Sequence, residues 1–160
     1  MDCVEYFRLK HHWKRGTESF HDCPVMALHI RDFRQNDTAE LSRLCETGRL
    51  IGALPQHVGE ARIFSGMRDD RVAAAIWFSL EGGTGTILAL VTAPTAHWLS
   101  DACELIAEAS LWLTSRGAAH IELSPIPEQS DLLAALVELD FQPDERAGVL
   151  RRLIEARSAA

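Results

Sequence analysis

The chain has 160 residues, 47% of them hydrophobic and 24% charged, with a formal net charge of −7 at pH 7. That length fits one domain around one core, and the composition is that of a globular protein rather than a disordered, collagen-like or coiled-coil chain. The negative charge argues against nucleic acid, whose binders use a basic surface to release counterions from phosphates; a cationic or neutral partner suits it better.

The four cysteines, Cys3, Cys23, Cys45 and Cys103, show neither the dense pairing of a disulfide scaffold nor the CxxC spacing of a zinc ribbon. They read as thiols of a reducing compartment. The opening MDCVEYFRLKHHWKRG mixes charges and aromatics where a secretory signal needs an unbroken apolar stretch, and no apolar run is long enough to span a bilayer. The expectation is a cytoplasmic protein with no membrane partner.

Residues 1–25 read as a loosely docked extension, poor in aliphatics and ending at Cys23-Pro24, ahead of a domain over 26–160. Cys3, His11, His12, His21 and Cys23 are residue types that bind zinc, but their spacings match no standard site, so no metal is expected. Leu28, Ile30 and Phe33 then mark a short strand. Asp37 stands where a helix N-cap belongs, with Glu40 at capping-box spacing. The helix it opens runs from Thr38 to Leu50, with Leu41, Leu44, Cys45 and Ile51 on one face and Gly52 and Pro55 ending it.

Ala61 to Met67 and Arg71 to Leu80 are strand-like runs joined by an Asp69-Asp70 turn, and Glu81-Gly82-Gly83 turns the chain into a third, Thr84 to Thr92, giving an antiparallel meander. After Pro94 the period becomes helical. Ala102, Leu105, Ile106, Ala109 and Leu113 line one face of a helix from Ser100 to Arg116, closed by Gly117. In the strand His120 to Ser124, alternation puts His120, Glu122 and Ser124 on one face. A helix from Ser130 to Leu139 and a last strand, Gly148 to Ile154, complete the order β-α-β-β-β-α-β-α-β. Trp77, Phe78, Trp112 and Phe141 are assigned to the core, and Cys45 and Cys103 to small buried positions.

Three strings carry a resemblance. IRDFRQNDTAELSRL, LALVTAPTAHWLSDACELI and LLAALVELDFQP, in this order of elements, resemble the first strand and helix, the fourth strand with its pyrophosphate loop and third helix, and the fourth helix with its following corner, in the GNAT superfamily of N-acetyltransferases. Asp140 stands at that corner where the family has glycine. The resemblance implies an α/β fold: a mixed, mainly antiparallel central sheet, helices on both faces, and fourth and fifth strands that splay apart. It implies acetyl-CoA as cosubstrate and a small-molecule or protein amine as acceptor, whose nitrogen attacks the thioester's acyl carbon directly, and it leaves a homodimer open.

It also places the site. Backbone groups of Leu90, Val91 and Thr92 would pair with the pantetheine arm, the stretch His97, Trp98, Leu99, Ser100, Asp101 and Ala102 would line the pyrophosphate, and Gln129 would touch the cofactor where the family often has asparagine. Of the family's loop pattern (Arg or Gln, two variable residues, Gly, one variable residue, Gly or Ala) only Ala102 conforms. Ser100 adds a side chain where glycine lets the backbone approach a phosphate, and reads as an N-cap. Asp101 sets a negative charge at the helix end that should receive an anion. Leu136 occupies the position of the family's tyrosine acid, and Thr84 to Pro94 contains no carboxylate. Substitutes for the base and acid come from Glu122, His120 and Ser124, with Glu81 as a second candidate base. A non-catalytic binding or regulatory module of the same fold is the alternative reading.

Overall fold

Alternating and helical stretches settle into eight strands and three helices in the computed structural model, which describes residues 27–56, 59, 61–124 and 126–155. The extension proposed for residues 1–25, with its metal-type side chains, lies outside the described residues. In chain order the elements are β1 (His29–Asp32), a 3-10 turn (Gln35–Asp37), α1 (Thr38–Thr47), β2 (Arg49–Gly52), β3 (Arg62–Arg68), β4 (Arg71–Glu81), β5 (Thr84–Thr92), α2 (Trp98–Ser115), β6 (His120–Leu123), α3 (Ser130–Glu138), β7 (Gln142–Asp144) and β8 (Val149–Leu153). They form one mixed sheet in the order β1-β3-β4-β5-β6-β8-β7, with β2 attached to β5 off that path. All pairings are antiparallel except β5 with β6.

The meander is built as the pattern implies. Asp69 and Asp70 both take positive φ (51° and 57°), as do Gly82 and Gly83 (55° and 80°), so two-residue turns of the kind that match strand twist join β3 to β4 and β4 to β5. Alternation then splits the core in two. Ile76, Phe78, Ile87, Leu90, Ile121, Leu123 and Leu150 pack under α2 and α3, while Ala75, Trp77, Ala89 and Val91 pack under Leu41 and Leu44 of α1. Helices thus cover both faces, and Phe78, Phe141 and Cys103 are buried in the larger core while Trp77 is buried in the smaller. Trp112 is only half-buried and meets Phe78 edge-on at 5.5 Å.

Four local expectations are corrected. The first helix does not reach Leu50: Gly48 closes it by donating its N–H to the Leu44 carbonyl (2.7 Å), then turns extended, and residues 49–52 become β2. Asp37 is the N-cap residue of α1, but its side chain does not cap the helix; its buried carboxylate takes two hydrogen bonds from the Arg31 guanidinium (2.7 and 2.9 Å) and one from the Arg34 N–H (3.0 Å). Glu40 likewise turns away from the helix end and accepts the Val72 N–H at 2.8 Å, tying α1 to β4. The second helix starts at Trp98 with His97 as its N-cap, so Ser100 lies inside the first turn and donates its hydroxyl to the His97 carbonyl (2.9 Å).

Candidate functional site

The parallel pair is short. β5 and β6 are registered only over Thr84–Ile87 against His120–Leu123, and the next β5 residue, Leu88, is a bulge, since Phe78 of β4 pairs with Ile87 but Trp77 pairs with Ala89. The bulge changes the phase of the strand: Ile87 faces the α2 side, whereas Leu88 and Ala89 both face α1. From there β5 and β6 part, and β5 runs on to Thr92, a few residues before the start of α2. A strand edge, a bulge and the N-terminus of an 18-residue helix therefore converge at one end of the sheet.

That edge is filled by the chain itself. β2 pairs antiparallel with it, Arg49 opposite Thr92, Leu50 opposite Val91, Ile51 opposite Leu90 and Gly52 opposite Ala89, and the Ala53 N–H donates to the bulge carbonyl of Leu88 (3.2 Å). Because the opposite edge of β5 is paired with β4 throughout, the edge at Leu90, Val91 and Thr92 that the sequence reading reserves for pantetheine is not open in this conformation.

At the helix start, His97 is exposed and Trp98, Leu99 and Ser100 are half-buried, with Trp98 and Leu99 packed on the larger core. Asp101 does not face the incoming anion. Its side chain is 1% exposed and pairs with Arg68 at 2.5 Å; burial holds its pKa above the ordinary carboxylate value, with Arg68 opposing that rise. The expected repulsion at the helix tip is thus largely absorbed by a pairing toward β3. A cation that the sequence did not reveal stands nearby: the Arg49 guanidinium lies over the Trp98 ring, 4.8 Å from its centroid. Only the pairing of β2 with β5 brings these two residues, 49 positions apart, together. Gln129 is the half-buried N-cap residue of α3.

The polar stripe on β6 is assembled but engaged. Glu122 is held by the Arg151 guanidinium through Nε (3.0 Å) and a second nitrogen (2.8 Å), and Arg151 also reaches Asp144 at 3.2 Å. His120 Nε2 lies 3.2 Å from Thr84 Oγ1 and 3.4 Å from Glu122. Register ranks their distance from the bulge. His120 is opposite Thr84, four residues or about 13 Å along the strand from Leu88; Glu122 is opposite Thr86; Ser124, exposed and just past the end of β6, is next in line. Glu81 sits opposite Thr84 at the other end of β5. Leu136 is wholly buried in the larger core.

A bulged strand parting from its parallel neighbour beside a helix N-terminus, within this strand order, defines the GNAT-type N-acetyltransferase fold. Solved structures agree. The chain is similar to the ribosomal-protein-S18-alanine N-acetyltransferase of Escherichia coli (TM-score 0.64, 13% identity, 84% of this chain and 99% of that one). It is similar to the PaiA N-acetyltransferase of Thermoplasma acidophilum in complex with coenzyme A (0.62, 12%, 81% and 100%), and to a GNAT family acetyltransferase of Brucella melitensis in complex with acetyl-CoA (0.60, 16%, 81% and 90%). At such identities the likeness is one of fold. No family model and no curated protein matches the sequence.

Proposed function

We propose that this protein is an acetyl-CoA-dependent N-acetyltransferase of a reducing compartment such as the cytoplasm. The observation that carries the proposal is the parting of β5 from β6 at the Leu88 bulge beside the start of α2; coenzyme A or acetyl-CoA in structures of the same fold supports it. With β2 drawn aside, the edge at Leu90, Val91 and Thr92 offers alternate backbone groups to the amides of pantetheine. First-turn amides of α2 and the helix dipole favour the pyrophosphate.

The reaction needs three things of the chain. A base takes a proton from the acceptor ammonium, the neutral nitrogen attacks the thioester carbon, and the carbon–sulfur bond breaks as the departing thiolate gains a proton. Glu122, the carboxylate of the stripe, is the base, acting through a water. Ser124, level with the bulge, is the donor to the thiolate. A backbone N–H around Val91 or Thr92 receives the oxyanion. The acceptor is a small-molecule or protein amine, for which a chain of net charge −7 is a favourable partner.

Titration calorimetry with acetyl-CoA and with CoA tests the proposal: binding at micromolar level is expected. Affinity weaker than about 1 mM, or little more than 4 kcal/mol, removes the enzyme reading. A non-catalytic module of the same fold then takes its place, as favoured by the occupied β5 edge and by the Arg151 pairing of Glu122.

A further inference from the structure

Like the outer strands β1 and β7, β2 is held on one edge only, to β5. It is four residues long. Ile51 alone is buried in the larger core, while Arg49 and Leu50 are exposed, Leu50 by 40%. Yet its fit against β5 is close at both ends. A Cβ on Gly48 would stand 2.6 Å from the Leu44 and Thr92 carbonyl oxygens, and a Cβ on Gly52, whose φ is +81°, would stand 2.3 Å from the Leu88 carbonyl oxygen. Neither approach tolerates a side chain, and the second also needs a backbone conformation that L-residues disfavour. Gly48 precedes the four paired residues and Gly52 is the last of them. They allow the segment to lie flat on the edge and supply backbone freedom where a strand must leave it.

We propose that β2 is a detachable strand that closes the acetyl-CoA slot: its backbone occupies the β5 edge that the pantetheine arm requires, so cosubstrate enters as residues 49–52 leave. This rests on the acetyltransferase reading. The strand and the arm compete for the same donors and acceptors of β5, so occupancy by one excludes the other. Apparent affinity for CoA is then the intrinsic affinity reduced by the fraction of molecules with the edge open. Closure also pairs the bulge carbonyl of Leu88 with the Ala53 N–H, so that the β5 edge beyond β6 is covered.

Two variants and one exchange measurement on the full chain test this. Gly52→Ala strains only the docked strand, so CoA binding by calorimetry is expected to tighten by about fivefold or more. Cysteines at the facing positions Leu50 and Val91 lock the strand when oxidised; CoA binding is expected to vanish and to return on reduction. In the unaltered protein, amide exchange at residues 49–52 is expected to speed up on saturation with CoA. Equal CoA affinity of the oxidised and reduced forms, or unchanged protection of these amides with CoA bound, overturns the detachable strand while leaving the acetyltransferase reading intact. No CoA binding by any form, Gly52→Ala included, overturns both.

Discussion

Two aspartates that look alike in sequence, each near a helix start, carry opposite pH signatures. Asp37 has its pKa held below the ordinary carboxylate value, chiefly by its hydrogen bonds to Arg31. Its contribution to stability is therefore present above the unfolded carboxylate pKa of about 4 and is lost as pH falls through the lower folded value. Asp101 has its pKa raised, chiefly by burial. Its contribution is full below about pH 4 and is lost as pH rises through the higher folded value. Asp37→Ala is expected to cost about 2 kcal/mol at neutral pH, since it strands Arg31 and the Arg34 N–H, and to reduce the acid-side loss of stability. Asp101→Asn is expected to flatten the decline on the other side, measured as denaturant unfolding at a series of pH values; an unchanged profile would show that Asp101 does not titrate in this range. None of this is readable from the sequence alone, because Arg31 and Arg68 become partners only after β1 and β3 are placed.

At the level of elements, the corner after α3 shows what local chemistry can specify. Asp140 takes φ +67°, and the Phe141 N–H reaches back to the Leu136 carbonyl (3.0 Å), which is the left-handed helix ending that glycine usually provides. Asp140→Gly is expected to stabilise the fold by up to about 1 kcal/mol by relieving that conformation, read as a rise in the unfolding midpoint; a fall would mean that the Asp140 side chain holds the corner. The meander, both long helices and this corner were legible because each repeats one period over many residues or ends in an unmistakable turn. β2 was not. Ile51 falls at helical spacing from Leu44, and four residues cannot distinguish a strand from a last helical turn, so only the close approach of Gly48 and Gly52 to β5 settles the matter. β7 was missed for a related reason: it has three residues, one of them Pro143, which cannot donate to the ladder.

Across the whole molecule, the sheet is two halves joined through the four-residue register of β5 with β6, under helices that bridge the larger core. The stripe on β6 was visible as a pattern, but its pairing with Arg151 depends on β8 arriving antiparallel beside it, which alternation cannot foresee. Beyond that register the halves meet through side chains of the larger core, and β2 pairs with the β5 half alone. A CoA molecule entering between them binds the native arrangement and not the unfolded chain, so it must raise stability by mass action. At a free concentration one hundredfold above the apparent dissociation constant, the gain is about 2.7 kcal/mol, which for a domain of this size corresponds to a rise in Tm of about 5–10 °C. The apparent constant already contains the cost of lifting β2, so the same rise at one hundredfold excess is expected for Gly52→Ala, but from a lower starting Tm and at a lower CoA concentration. A thermal scan of both proteins over a CoA series checks this. If both midpoints climb at the same absolute CoA concentration, strand release is not part of the binding equilibrium; if neither climbs, the slot beside α2 does not receive CoA.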